Sequence, residues 1–226
     1  MKVIILAAGI GSRLGVPLPK ALIPIQDDKT ILHHQIDGLL HYLSIKDIFV
    51  VVGYKKNLII DAFPDLSFID NPRFSQTNTS KSLLIAINKL IGNEILWLNG
   101  DVYFDHNVIE RIIHYNGNCM AVNRAIVGLE EVKYKTNKQG YVVEISKEVE
   151  HPEGESLGIH KISSNETNLL KKCLSNCHDQ DYFEKGLELS IQNGMQVKPI
   201  DISDLTCIEI DFVEDLAILN DLLNNR

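Results

Sequence analysis

Long apolar runs are missing from this chain of 226 residues, and so is any excess of positive charge. No stretch approaches the ~20 consecutive apolar residues of a bilayer span. Met1-Lys2 leads straight into a strand-like run, so a soluble cytoplasmic protein is expected. Against 30 Asp and Glu stand only 22 Lys and Arg, a net charge of −8. Such a balance leaves no basic stripe to displace counterions from a nucleic acid. The four cysteines, Cys119, Cys173, Cys177 and Cys207, fit a reducing compartment. Cys173, Cys177 and His178 lack the fourth ligand and the tighter spacing of a zinc site. His33-His34 reads as a pair on a helix surface whose side chains diverge. Internal repeats, low-complexity tracts and a releasing linker are absent too.

Two glycine motifs are excluded in the same way. A phosphate-binding P-loop needs a Lys-Ser/Thr pair directly after its second glycine, and none follows here. The dinucleotide fingerprint needs glycine at position 14, which is Leu14.

What is present is an ordinary apolar content of 45%, enough for a full core, in β-type runs that alternate with helical stretches. Strands are expected at 2–7, 48–53, 66–69, 94–99 and 118–123, and helices at 30–44, 79–91 and 106–115, the last capped by Asp105. The run Ile48-Phe-Val-Val-Val52 is continuous rather than alternating, which implies burial on both faces, as in a parallel sheet. A doubly wound, mainly parallel α/β sheet of Rossmann-like type follows. After Ala121, short antiparallel strands are expected at 130–135, 140–145 and 157–162, with a flexible charged loop from Lys147 to Glu155. Helices at 165–176 and 181–193, a strand near 196–200, a strand ending at Asp211 and a closing helix at 212–223 complete the expectation.

The most informative segment is Val3 to Ile25, VIILAAGIGSRLGVPLPKALIPI. An apolar strand empties into a loop in which Gly9, Gly11 and Gly15 allow close backbone approach and positive φ. Successive N–H groups in such a loop form a concave anion site. Arg13 adds a planar fork for phosphate oxygens and Lys20, after Pro19, a compact point charge. The segment reads as a loop that wraps a nucleoside triphosphate.

It resembles the signature of nucleotidyltransferases that join a nucleoside triphosphate to a sugar 1-phosphate or phospho-alcohol, in particular the small cytidylyltransferases acting on phosphocholine, 2-aminoethylphosphonate or inositol 1-phosphate. The resemblance runs from Met1 to about Leu223. It implies one domain, 1–226, with a nucleotide-binding half (1–121) and an acceptor-binding half with a closing helix (122–226). It implies that Leu6, Ala7, Ala8, Gly9, Gly11, Ser12, Arg13, Lys20, Asn78, Ser82, Gly100 and Asp101 contact the nucleotide.

Asp101 follows the strand 94–99, at the carboxyl end where ligands sit in an open α/β sheet. Asp211 closes Glu209-Ile-Asp211 at another strand end. Two hard carboxylates over a triphosphate suit Mg²⁺, which keeps waters and takes few protein oxygens. A turn after Asn99-Gly100 accounts equally for Asp101, and a helix N-terminus for Asp211. Both occur in the order the family uses, which favours metal binding.

Asn71-Pro-Arg-Phe-Ser-Gln-Thr-Asn-Thr-Ser-Lys-Ser-Leu83 resembles the family's middle signature, with Phe74 where relatives carry tyrosine. Asn78 and Ser82 are candidate contacts there, with helix capping by Asn78 or Thr79 as the plainer role. Lys147 stands where relatives bind the acceptor's phosphate, or is one charge in a solvated loop. The segment Glu155-Ser-Leu-Gly-Ile resembles a further motif. Asn78, Tyr103, Lys147, Glu155 and Gly158 thus form the expected acceptor site. Glu155 is placed to face a cationic head group, with Trp97, Tyr103, Tyr141 and Tyr182 as available aromatic faces.

The implied reaction is Mg²⁺-dependent transfer of a nucleoside monophosphate, CMP from CTP, to a small phosphorylated acceptor with release of pyrophosphate. Arg13, Lys20 and Lys147 would carry the catalysis. A sugar 1-phosphate with UTP or GTP, or a silent nucleotide-sensing subunit, stays open. So does the choice between monomer and homodimer.

Overall fold

Alternate residues of the first strand, β1 (Lys2–Ala7), point to opposite faces of a sheet, and both sets are buried: Val3 and Ile5 in one apolar cluster, Ile4 and Leu6 in another. A strand with no wet face must lie in the middle of a layered structure. The chain is seen in a computed structural model that describes residues 1–11, 14–26, 29–125, 127–128 and 131–224.

From β1 the chain runs through a single 3-10 turn (Lys20–Leu22) into a small hairpin, β2 (Pro24–Gln26) and β3 (Lys29–Thr30). Helix α1 (Ile31–Leu40) then leads to β4 (Ile48–Val52), α2 (Lys56–Ala62), β5 (Ser67–Asp70) and α3 (Thr79–Leu90). Next come β6 (Ile95–Asn99), β7 (Val102–Phe104), α4 (His106–His114) and β8 (Cys119–Asn123). The remainder is β9 (Lys133–Thr136), β10 (Val142–Ser146), β11 (Gly154–Ile162), α5 (Thr167–Asn176), α6 (Phe183–Gln192), β12 (Lys198–Asp201), β13 (Cys207–Glu209) and α7 (Val213–Asn224).

Strands β5, β4, β1 and β6 pair in that order, all parallel. The order reverses direction between β1 and β6, which creates a crevice beyond their carboxyl ends. Strand β11 adds antiparallel to β6, β8 antiparallel to β11 and β12 parallel to β8, while β9 and β10 extend the edge. A division after Ala121 falls inside β8, and strands from both sides of it share one sheet. Residues of α1 and α4 cover one face; α3, α5 and α6 cover the other. The doubly wound α/β architecture expected from the apolar runs is the one found.

Local differences have identifiable causes. The first long helix stops at Leu40 rather than 44, and Ser44 caps a separate 3-10 turn. Helix α2 enters through Lys55 in the left-handed region (φ 46°) and carries no sequence cap that would announce it. Strand β7 has three residues, too few for a periodicity. The loop expected to run to Glu155 ends at Glu153 instead, because β11 starts at Gly154 and pairs Glu155 with Lys133 and Asn123. His33 and His34 do not form a surface pair. His33 completes a capping box with Thr30, and His34 stacks on Tyr103 and bonds to the carbonyl of Phe104. Asp105 does cap α4, accepting from the N–H of Asn107.

Candidate active site

The crevice between β1 and β6 opens into a cavity of about 630 Å³. Leu6, Ala7, Gly9 and Gly11 from the first loop line it, as do Lys20, Asn99, Gly100 and Asp101. Gly100 bonds its N–H to the carbonyl of Leu6 (2.9 Å), which draws the end of β6 against the end of β1. Asp101 follows at the turn into β7.

Its acidic partners arrive through a ribbon. Strand β13 pairs antiparallel with β7, Glu209 opposite Val102, and the N–H of Ile210 bonds to the carbonyl of Asp101 (2.9 Å). Residues more than a hundred positions downstream are thereby fixed beside Asp101. Carboxylate oxygens of Asp101, Glu209 and Asp211 all lie within 4.8 Å of one another. Glu209 was not singled out for the metal, yet it stands two residues before Asp211 at a strand end, and such residues share a face.

Lys20 reaches into this cluster. Its Nζ donates to Asp101 Oδ2 (2.9 Å) and to Asp211 Oδ1. Burial works against its positive charge, but the two carboxylates outweigh that and hold its pKa above the usual lysine value. Burial raises the Asp101 carboxyl, and Lys20 opposes the rise. Glu209 is pushed up further, first by burial and then by Asp101 and Asp211. Three acids face one lysine here, and burial together with the two like-charged neighbours favours the neutral form of Glu209 over what it would show in water. Gly11 makes room for this lysine. It has φ +63°, and a Cβ there would lie 2.5 Å from Lys20 Cγ.

The far wall comes from the second half of the chain. Lys147, Ser156 and Gly158 line it, with Gln180, Tyr182, Phe183 and Glu184. Gly158 (φ +68°) packs against Asn99, and Asn99 Nδ2 donates to Glu209 Oε1 (3.3 Å).

Several expected contacts lie elsewhere. Ser12 and Arg13 fall outside the described residues. Ala8 is buried and gives its carbonyl to the N–H of Tyr54. Ser82 is buried and accepts from Asn71 Nδ2 (3.0 Å), which pins the loop before α3. Asn78 lines the cavity and also caps α3, accepting from the N–H of Thr79. Tyr103 belongs to the core beneath α7, stacked on His34, and does not line the cavity. Glu155 does not line it either. Its carboxylate accepts from Asn123 and from the N–H of Gly128, and burial raises its pKa to about 6. Of the four candidate aromatics, Trp97 is fully buried against His160 and Phe183, and Tyr141 holds Lys198 over its ring; Tyr182 alone reaches the cavity.

Residues 3–131 match the family profile of the MobA-like NTP transferase domain. The chain belongs to that family. It is 32% identical over 208 residues to the bifunctional protein GlmU of Methanococcus maripaludis strain C7, across 86% of this chain and 48% of that protein. It is 31% identical over 121 residues to CMP-5'-(3-aminopropyl)phosphonate synthase of Streptomyces rubellomurinus (50% and 19%). It is 29% identical over 165 residues to UTP–glucose-1-phosphate uridylyltransferase AglF of Haloferax volcanii (67% and 67%). The chain spans about half the length of the GlmU relatives it matches. In fold it resembles CTP:phosphocholine cytidylyltransferase from Streptococcus pneumoniae, with a TM-score of 0.78, 18% identity and 98% of each chain covered. Among the described residues, no helix is long and apolar enough to cross a membrane.

Proposed function

We propose that this chain transfers CMP from CTP to a small phosphorylated alcohol or phosphonate and releases pyrophosphate. The observation that carries the reading is the meeting of Lys20, Asp101, Glu209 and Asp211 beyond the carboxyl ends of β1 and β6. Four charged groups from three distant segments, gathered where an α/β sheet takes its ligand, are arranged for a polyanion and its counter-ion. The kinship with a CMP-phosphonate synthase supports cytidine and a phosphonate-like acceptor. We read the chain as one working unit, with a nucleotide half and an acceptor half.

The donor set fits Mg²⁺: three carboxylates within one ion's reach and no nitrogen or sulfur ligand among them. Asp101, Asp211 and Glu209 would hold the ion, and when bound it supplies charge neutralisation between the two phosphates.

The chain's own residues then have separable tasks. An oxygen of the acceptor's phosphate attacks the α-phosphorus of the nucleotide; that P–O bond forms as the bond to pyrophosphate breaks. No general base is required, since a phosphate monoester's second pKa of about 6 leaves it mostly dianionic at neutral pH. Catalysis is therefore positioning two anions in line and offsetting their repulsion. Lys20 exchanges its carboxylate partners for the triphosphate and steadies the departing charge. Lys147, on the opposite wall, draws in the acceptor's phosphate, and Arg13 adds a second cation to the triphosphate loop. The N–H groups from Gly9 to Gly11 face the nucleotide.

Pyrophosphate release with Mg²⁺, measured for each of the four ribonucleoside triphosphates against phosphocholine, 2-aminoethylphosphonate, inositol 1-phosphate, glycerol 3-phosphate and sugar 1-phosphates, tests this. Turnover with CTP and one phospho-alcohol or phosphonate is expected. Turnover confined to UTP or GTP with a sugar 1-phosphate would replace the acceptor class and favour the AglF-like reading. Silence across the panel with nucleotide binding intact would favour a sensor.

A further inference from the structure

The carboxylates around the cavity are not equally provided for. Asp101 and Asp211 share Lys20, Glu209 accepts from Asn99, and Asp215 accepts the N–H groups of Asp211 and Phe212. Glu184 differs. It stands in the first turn of α6, only 9% exposed, and its Oε2 has no hydrogen-bond partner among the described residues. Its side chain forms part of the wall that the main cavity shares with a smaller pocket of about 170 Å³.

Desolvation of an ionised carboxylate in such a position costs more than its own backbone N–H and Lys147 return. Burial is the largest influence on Glu184, and the like charge of Glu209 adds repulsion between the two acids. A hydroxyl from a ligand would complete a hydrogen bond yet leave the charge in place. A cation would balance the charge and satisfy the oxygen together. Tyr182, two residues earlier, presents a half-exposed ring to the same space, and Lys147 Nζ already lies 5.7 Å from the centre of that ring. A carboxylate beside an accessible aromatic face is the environment that holds an organic ammonium.

We propose that Glu184 recognises the acceptor's head group: the acceptor is a short phosphorylated chain bearing a positively charged nitrogen, and that nitrogen is received by Glu184 with the ring of Tyr182 beside it. This deepens the proposed function and rests on it for the phosphate end of the acceptor. It also moves head-group recognition from Glu155, whose oxygens are engaged outside the cavity, to a residue on the first turn of α6.

The test is binding, so that it does not depend on transfer. Titration calorimetry of the intact chain at pH 8, with Mg²⁺ and α,β-methylene-CTP present, compares phosphocholine with 3,3-dimethylbutyl phosphate, which has carbon in place of the charged nitrogen. Wild type is expected to bind phosphocholine at least tenfold more tightly. Glu184→Gln should close that gap by weakening phosphocholine, with an unchanged circular dichroism spectrum. Equal affinities in wild type, binding of neither probe, or a gap that persists in Glu184→Gln would each overturn the proposal. So would glucose 1-phosphate binding more tightly than phosphocholine. If phosphocholine binds as expected but no triphosphate releases pyrophosphate with it, the transfer reading fails and the head-group reading stands. If CMP is transferred equally well to both probes and they bind alike, the reverse holds.

Discussion

The two ends of the cavity handle negative charge in opposite ways. At the sheet end, Lys20 lies between Asp101 and Asp211, and Asn99 holds Glu209. At the helical end, Glu184 has an oxygen with no partner among the described residues and a neighbouring lysine that does not offset its burial. The first end is internally compensated and, on the proposed function, would exchange one set of partners for another as a nucleotide enters. The second is only partly compensated, which on our proposal leaves it poised for something cationic. A site that joins two anions needs the first kind of chemistry for what both substrates share. On the proposed function, discrimination between acceptors falls to the second, because the candidate acceptors all present a phosphate or phosphonate and differ chiefly in their head groups.

Removing the compensating cation is the most damaging way to break this contrast. Lys20→Ala should lower pyrophosphate release by about a thousandfold, in the range of losing a group that stabilises transition-state charge, while circular dichroism shows the fold retained. Lys20→Arg should recover little, because a fork of five donors cannot replace a point charge in a slot bounded by Gly11. Near-normal turnover in purified Lys20→Ala would end the proposed assignment of the sheet end. A gentler disturbance is Gly11→Ala. Its backbone would be held at φ +63° and its methyl would meet Lys20 Cγ. The lysine must shift, and turnover is expected to fall by roughly ten- to a hundredfold, since small misplacements of a catalytic group are costly.

The helical end is sharpened by stability rather than rate. Burial raises the Glu184 carboxyl from 4.5 to about 7. With the folded-state pKa above the unfolded one, folding is penalised as the group ionises: nothing is lost below pH 4.5, and the loss grows until the pH passes 7. Burial is the main cause, opposed first by the group's own backbone N–H and then by Lys147. Glu184→Gln removes the ionisation. The variant should therefore be more stable than wild type at pH 8 by up to about 3 kcal/mol, or several degrees in melting temperature for a chain of this size. The difference should shrink towards pH 5. A Gln variant that gains nothing at pH 8 would show that the carboxylate is compensated after all.

The same contrast explains what was legible in the sequence. Apolar runs on β1, β4 and β6 announce a sheet covered on both faces because continuous hydrophobicity has few other uses. Lys20, Asp101 and Asp211 are legible because a glycine loop, a cation and acids at strand ends form a pattern with its own chemistry. Glu184 has no such pattern. It sits in Tyr-Phe-Glu-Lys-Gly-Leu-Glu-Leu, where an acid in the first turn of a helix is the ordinary choice for the helix dipole. Tertiary packing, with α6 set against α5, β10 and α3, makes it a dry residue rather than a solvated one. Glu155 misled for the complementary reason. Its motif is visible, but β11 pairs with β8 and β9 around it and gives its oxygens to Asn123 and Gly128. Tyr103 was lost to the core by the same kind of tertiary fact, the pairing of β7 with β13 under α7.

The smallest expected effect is at Tyr182, and its size relative to Glu184 is the informative quantity. The ring is about half exposed (47%), so water competes for any cation on its face, and an exposed cation–π contact is worth roughly 0.5–1 kcal/mol. Tyr182→Leu should therefore weaken phosphocholine binding by only about two- to fivefold in the calorimetric assay, while Tyr182→Phe, which keeps the ring, should change it less than that. The carboxylate acts from a buried position where its charge is poorly screened, so its removal should cost more than removal of the ring. If Tyr182→Leu instead costs as much as Glu184→Gln, the ring is the principal receptor. The head group is then held by an aromatic face, with the carboxylate merely raising the local negative potential.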